Sequence, residues 1–199
     1  MTMIGLTGGI ASGKSTAARR LQDHGAVLID ADAVVRQLQA PGGAAIAPMV
    51  EAFGPGILDD VGALDRPALG RRIFSDPQAR EQLNAIVHPL VRDRSLELVE
   101  QARAQKGPDA VIVRDIPLLV ETGQADQMDL VLVIEAPRAQ RIRRMVEDRG
   151  MSPEDAAARI EAQATDEQRR EAADDVLVND GTVAELEAAV DAWWQRRIV

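Results

Sequence analysis

Residues Gly8-Gly9-Ile10-Ala11-Ser12-Gly13-Lys14-Ser15 fill every fixed position of the pattern GxxxxGK[ST]. Glycines at these spacings let successive backbone N–H groups turn toward one anion without Cβ clashes. A helix that starts at the end of such a loop adds its partial positive charge. Lys14 can then reach the outer phosphates of a nucleotide, and the Ser15 hydroxyl can ligate Mg²⁺. The plain alternative is a Gly-rich turn that only joins two elements. The flanks argue against it, because an apolar run (3–7) precedes the loop and a helix-forming run (16–21) follows it.

Carboxylates arrive next. The run Leu28-Ile29-Asp30-Ala31-Asp32 reads as a strand end, and open parallel sheets bind ligands outside the carboxyl ends of their strands. A carboxylate there can take a proton from an attacking hydroxyl or orient Mg²⁺ through water. One functional residue is expected, Asp32, projected by the helix that begins there. Asp30 reads as the N-cap of that helix. A third strand ends Val113-Arg114-Asp115, followed by Ile116-Pro117-Leu118-Leu119-Val120-Glu121. Asp115 stands where a carboxylate supports Mg²⁺ through water downstream of a phosphate loop. Pro117 stops further pairing and sends the chain across the cleft.

Basic chemistry falls almost wholly to arginine. Of 23 strong bases only Lys14 and Lys106 are lysine, and Arg138, Arg141, Arg143, Arg144 and Arg149 form a cluster. The guanidinium fork suits phosphate oxygens, although a charge run is often only a solvated face. His24 precedes Gly25 at a helix end, where a cation suits the helix dipole. His88 precedes Pro89 and reads as extended, with a structural hydrogen bond favoured over catalysis. Two isolated histidines and no cysteine argue against a zinc site.

Five β-branched runs, 3–6, 26–29, 110–113, 130–134 and 175–178, must position these groups as buried parallel strands. Amphipathic stretches at 15–24, 75–105, 137–149 and 183–196 separate them. Alternation of this kind predicts an α/β fold, a parallel sheet covered on both faces. The gap of about eighty residues between the second and third runs is too long for one crossover. It holds Pro41-Gly42-Gly43, Gly54-Pro55-Gly56 and His88-Pro89, read as turns, so a helical insertion is placed there, about 41–92. Ser152-Pro153-Glu154 reads as a helix start, and a helical lid is placed over about 137–172. Leu186, Val190, Trp193 and Trp194 form the packing stripe of the last helix.

The 199 residues favour a single domain. No apolar run approaches the ~20 residues of a membrane helix. With no cysteine there is neither disulfide nor thiolate chemistry, and no leader precedes the first strand, so a cytoplasmic location is expected. A net charge of −9 argues against nucleic acid as a partner. A switch GTPase would need Asn-Lys-x-Asp, which neither lysine can supply. The literal Asp-x-x-Gly at Asp59-Asp60-Val61-Gly62 does not end a buried strand, and Asp59 and Asp60 have no role in this reading. A small-molecule kinase explains the insertion and the Arg-rich lid, because it must hold an acceptor in line and exclude water. The residues alone leave open a nucleoside monophosphate kinase and a P-loop ATPase without an acceptor.

A set of elements in order narrows the choice: Leu6-Thr7-Gly8-Gly9-Ile10-Ala11-Ser12-Gly13-Lys14-Ser15-Thr16, Ile29-Asp30-Ala31-Asp32 with Arg36, and Arg72-Ile73-Phe74. Leu83-Asn84-Ala85-Ile86-Val87-His88-Pro89, Ile116-Pro117-Leu118-Leu119-Val120-Glu121, Arg159-Ile160-Glu161-Ala162-Gln163, Ala173-Asp174-Asp175 and Asn179-Asp180-Gly181 follow. Over about 4–181 the chain resembles the dephospho-coenzyme A kinase family. The resemblance implies a P-loop kinase fold, three-layer αβα around a five-stranded parallel sheet, with an acceptor-binding insertion and a mobile lid. It implies ATP and Mg²⁺, dephospho-coenzyme A as acceptor at its ribose 3′-hydroxyl, no membrane partner, and a monomer or weak homo-oligomer. It makes Asp32 the base and assigns Gly9 and Ala11 to Thr16 to the ATP phosphates. Asn179 falls near the adenine, and Arg36, His88, Leu118 and Glu121 fall on the acceptor side. The lid departs from the family's usual order, reading Asp148-Arg149 before Gly150, so Arg141, Arg144 and Arg149 all qualify to meet the transferred phosphoryl.

Overall fold

The apolar runs form strands β1 (Thr2–Gly8), β2 (Val27–Asp30), β3 (Val111–Asp115), β4 (Leu130–Glu135) and β5 (Asp175–Val178). They make a five-stranded parallel sheet in the order β2-β3-β1-β4-β5. Ile4 of β1 is in register with Val113 on one side and Leu130 on the other. β1 and β4 are buried over most of their length, as expected for central strands covered on both faces. The computed structural model describes residues 1–199, the side chain of Ser75 excepted.

Between the strands lie α1 (Lys14–Asp23), α2 (Ala31–Leu38), α3 (Ile46–Phe53), α4 (Arg66–Ser75) and α5 (Pro77–Lys106). Toward the C-terminus come α6 (Arg138–Arg149), α7 (Pro153–Glu161), α8 (Asp166–Glu171) and α9 (Val183–Arg197). The expected strand and helix runs recur with small shifts at their ends. The long helix expected from residue 75 starts at Pro77, because the Asp76 carboxylate accepts the N–H groups of Gln78 and Ala79 and opens a new helix there.

One expectation fails. His88-Pro89 is not a turn and His88 is not extended, because Pro89 lies inside the 30-residue α5. A proline costs the helix one N–H and crowds the carbonyl four residues back. The loss is local, and the turns on either side carry the helix through it. His88 is exposed on this helix.

The chain divides into two compact units. One comprises Met1–Ile29 and Ala102–Val199, the other Asp30–Gln101. In the first, Ile4, Leu6, Leu132 and Ile134 of the sheet pack with Ala17 and Leu21 of α1 and with Leu186, Val190, Trp193 and Trp194 of α9. Burying each large apolar side chain contributes about 1.5–3 kcal/mol. The α1–α9 seam also has a polar edge. Asp191 accepts from Arg20 Nε at 2.6 Å and Nη2 at 2.7 Å, and it lies 2.7 Å from His24 Nε2, whose ring stacks on Trp194. His24 is the C-cap of α1, at the helix end expected for it. α9 is opened by a capping box between Thr182 and Glu185.

In the second unit Val34, Leu38, Met49, Phe53 and Ile57 are buried. Arg72 lies over the Phe53 ring and donates to the Phe53 carbonyl at 2.6 Å. Leu58 and Leu64 form an antiparallel bridge, and the Asp59 carboxylate closes the turn between them by accepting from Val61 and Ala63. Asp59 is thus a turn residue, which the sequence left without a role. Among the described residues no helix is long and apolar enough to cross a membrane.

Candidate active site

β1 hands the chain to α1 through Gly9–Gly13, with the close approaches that only glycines allow. A Cβ on Gly8 would overlap the Ile134 carbonyl oxygen, and one on Gly13 would overlap the Asn179 amide. Gly13 is the N-cap of α1 in the left-handed region at φ 98° and supplies no side-chain cap. The N–H groups of Lys14 and Ser15 at the start of α1 are therefore open to an anion. Among the described residues Ala11 is the only non-glycine at positive φ, 61°. Ser12 N–H donates to the Gly9 carbonyl at 3.0 Å and Thr16 N–H to that of Gly13 at 2.9 Å. Ser15 is exposed in the first turn of α1.

Lys14 and Asp115 form an ion pair, with only 15% and 10% of their side chains exposed. Asp115, expected as an outer partner of Mg²⁺, is thus in direct contact with the loop ammonium at the carboxyl end of β3. Asn179, expected near the adenine, is buried and donates Nδ2 to the Ser12 carbonyl at 2.7 Å. Its backbone N–H donates to the Glu135 carbonyl at 2.7 Å. Whatever it touches in a ligand, it braces the loop from β5.

α6, α7 and α8 bring residues of the expected lid to this loop. α7 is opened as expected, with the Ser152 hydroxyl accepting from Asp155 N–H at 3.0 Å and Pro153 in its first turn. Arg144 donates to the Ala11 carbonyl at 3.1 Å. Arg141 is buried and donates Nη2 to Asp166 at 2.8 Å. A Cβ on Gly9 would overlap Arg141 Nη1. Arg149 lies exposed at the far end of α6, before Gly150 in the left-handed C-cap. Of the three lid arginines expected from sequence, Arg141 and Arg144 reach the loop.

Three participants were not legible in the sequence as site residues. Gln163, after α7, accepts the Ile10 N–H at 2.8 Å. Arg169 of α8 is buried, donates Nη1 to Asp166 at 3.0 Å, and comes within 4.0 Å of Glu121. Asp166 thus bridges two buried guanidiniums. Burial pushes the Arg169 pKa below its ordinary value, while Glu121 and Asp166 oppose that shift. The capping box of Thr165 and Gln168 marks the start of α8, a signal for the helix and not for its basic residues.

Glu121 also accepts the Ala164 N–H at 2.8 Å, tying the segment after β3 to the turn between α7 and α8. Leu118, in the same segment, is exposed at 47%, and its carbonyl accepts from the Thr122 hydroxyl at 2.6 Å. The remaining expected residues belong to the second unit. Asp30 is the N-cap of α2, accepting from Ala33 N–H at 3.0 Å, and pairs with Arg36 at 3.3 Å. Asp32 is exposed in the first turn of α2, two residues past the end of β2. His88 is exposed on α5.

Among the described residues no three His, Cys, Asp or Glu side chains cluster to cage a metal. The exposed Ser15 hydroxyl and the Asp115 carboxylate beside Lys14 are oxygens that would suit a cation held mainly by phosphates and water.

Comparison with known proteins agrees with this geometry. Residues 2–185 match the dephospho-CoA kinase family profile. A dephospho-CoA kinase of Thermobifida fusca is 47% identical over 201 residues, spanning 100% of this chain and 98% of that one. Among solved structures, a Thermus thermophilus protein superposes with TM-score 0.84 at 34% identity, covering 98% of this chain and 97% of its own. A dephospho-CoA kinase from Campylobacter jejuni gives TM-score 0.75 at 25% identity, covering 98% and 96%. A phosphate loop on a five-stranded parallel sheet, roofed by arginines, and a profile match over nearly all of its length lead to one conclusion: the chain belongs to the dephospho-CoA kinase family.

Proposed function

We propose that the protein transfers the γ-phosphoryl group of ATP to the ribose 3′-hydroxyl of dephospho-coenzyme A, giving coenzyme A and ADP. The observation that carries this reading is the family match over residues 2–185. The uncapped start of α1 behind Gly13 supports it as a seat for the triphosphate.

Gly9 and Ala11 to Thr16 hold the phosphates, the backbone N–H groups of Lys14 and Ser15 among the donors, and Lys14 places its ammonium on the outer ones. Lys14 meets Asp115 in this structure, so the carboxylate fixes the ammonium until phosphate shares it. Ser15 would hold Mg²⁺, with Asp115 supporting it through water; when bound, the ion neutralises charge on the β- and γ-phosphate oxygens. Asp32 takes the acceptor's hydroxyl proton. A carboxylate suits this late proton transfer, because the loose transition state demands little basicity from it. Arg141 and Arg144 bring positive charge to the loop and help exclude water. Arg36, His88, Leu118 and Glu121 serve the acceptor side, and Asn179 the adenine side.

The test is an ADP-release assay comparing dephospho-coenzyme A, AMP, cytidylate, shikimate and no acceptor. ADP release that depends on dephospho-coenzyme A is expected. Preference for AMP or cytidylate would make the protein a nucleoside monophosphate kinase. Release indifferent to acceptor would make it an ATPase.

A further inference from the structure

We propose that Arg169 is a catalytic residue of this phosphoryl transfer and that it acts with Arg141 as a paired guanidinium seat for the transferred group. The inference rests on the kinase reading above and concerns a residue with no local sequence signal.

Three observations converge on it. First, Arg169 and Arg141 are among the few buried charged side chains, and both end at Gly9. A Cβ there would overlap Arg141 Nη1 and lie 3.4 Å from Arg169 Nη1. Second, the two cations share one carboxylate: Asp166 Oδ2 accepts from Arg141 at 2.8 Å and Oδ1 from Arg169 at 3.0 Å. Two like charges held this way need more negative charge than Asp166 alone provides, and Glu121 comes only to 4.0 Å of Arg169. Third, donors remain unspent. Arg141 Nε, Arg169 Nε and Arg169 Nη2 are buried without a hydrogen-bond partner among the described residues. Buried guanidinium N–H groups without acceptors are costly, and such a cost persists where a ligand supplies the acceptors.

A phosphoryl group fits these donors in charge and shape. Its three equatorial oxygens carry the charge of the loose transition state, and planar guanidiniums bind such oxygens in pairs. In the step served, the acceptor hydroxyl oxygen bonds to the γ-phosphorus, while the bond from that phosphorus to the β–γ bridging oxygen breaks. Its electron pair leaves with ADP, and the hydroxyl proton goes to the Asp32 carboxylate. Arg169 neither gains nor loses a proton; it stabilises charge on the oxygens in flight. Asp166 holds both forks in place before the nucleotide arrives and is a positioning residue.

The experiment is titration calorimetry on the full chain with Mg²⁺ and dephospho-coenzyme A present, using ADP alone and then ADP with aluminium fluoride as the mimic of the transferring phosphoryl. In the wild type, fluoride should tighten ADP binding by about 10²-fold or more. In Arg169→Lys the gain should shrink at least about tenfold and kcat fall about 10²-fold, while ADP alone changes less than about threefold. A merely structural role would weaken both complexes together, so an equal gain in wild type and variant overturns the proposal. If the variant fails to melt cooperatively, crystals of the wild type with ADP, aluminium fluoride and acceptor decide the matter. Fluorides hydrogen-bonded to Arg169 support it, and Arg169 engaged only with Asp166 and Glu121 overturns it. A wild type that does not bind ADP at all removes the kinase reading itself, a result distinct from loss of the fluoride gain.

Discussion

At the scale of single residues, the phosphate loop was readable because its chemistry is local: the glycines, Lys14 and Ser15 fall within residues 8–15, and each has one job. Asp32→Asn should retain ADP affinity and fold but lose most of kcat. Steady-state kinetics beside ADP titration checks this, and near-wild-type turnover would remove Asp32 from the base role. Gly9→Ala is a sharper probe of the contact between the loop and α6. The added methyl would collide with Arg141, which is buried and tied to Asp166. A displacement of about 1 Å in a positioning group can cost 10²-fold. The variant should therefore lose about that factor in kcat while still binding ADP. Arg169 and Asp166 escaped the reading because a pair at i,i+3 looks like any helix-surface pair, and the groups that give it meaning, Arg141 and Glu121, lie far off in sequence. Gln163 meets Ile10 across 153 residues, and no spacing rule spans such a distance.

At the scale of elements, strands were legible from their β-branched runs, and helix starts from caps such as Asp30 and Ser152. Pro89 was misread because the rule for the residue before proline is a local preference, and α5 overrides it with many turns on either side. The α1–α9 seam yields a pH prediction. The Arg20 hydrogen bond, then that of His24, hold the Asp191 pKa well below the usual carboxylate value. A group depressed in the folded state adds stability that is present above its unfolded pKa, about 3.9, and is lost as pH falls through the folded value. Asp191→Asn should therefore lower the melting temperature near neutrality. It should also remove part of the further decline that the wild type shows below about pH 4. Thermal melts of both proteins from pH 7 downward would expose any failure, seen as parallel curves.

At the scale of the whole chain, the length favoured one domain with a helical insertion over about 41–92, whereas the fold parts into two compact units, one of them Asp30–Gln101. The limits of that unit are not legible, since no composition change marks Ile29 or Ala102. Ligands that bind only the folded chain stabilise it by mass action, about 2.7 kcal/mol at a hundred times Kd. For a chain of this size that corresponds to about 5–10 °C in Tm. ADP with Mg²⁺ should raise the melting temperature by this amount, and chelating the Mg²⁺ should diminish the rise. An identical shift after chelation would remove Mg²⁺ from the binding reaction. One last consequence follows from the left-handed backbone at Ala11. Alanine takes that shape only when its surroundings insist, at about 1 kcal/mol or more. The socket is therefore rigid before any guest arrives, its disorder already given up when the chain folded. Ala11→Gly would return that freedom to the empty loop, and nucleotide would then have to still it at the expense of its own grip.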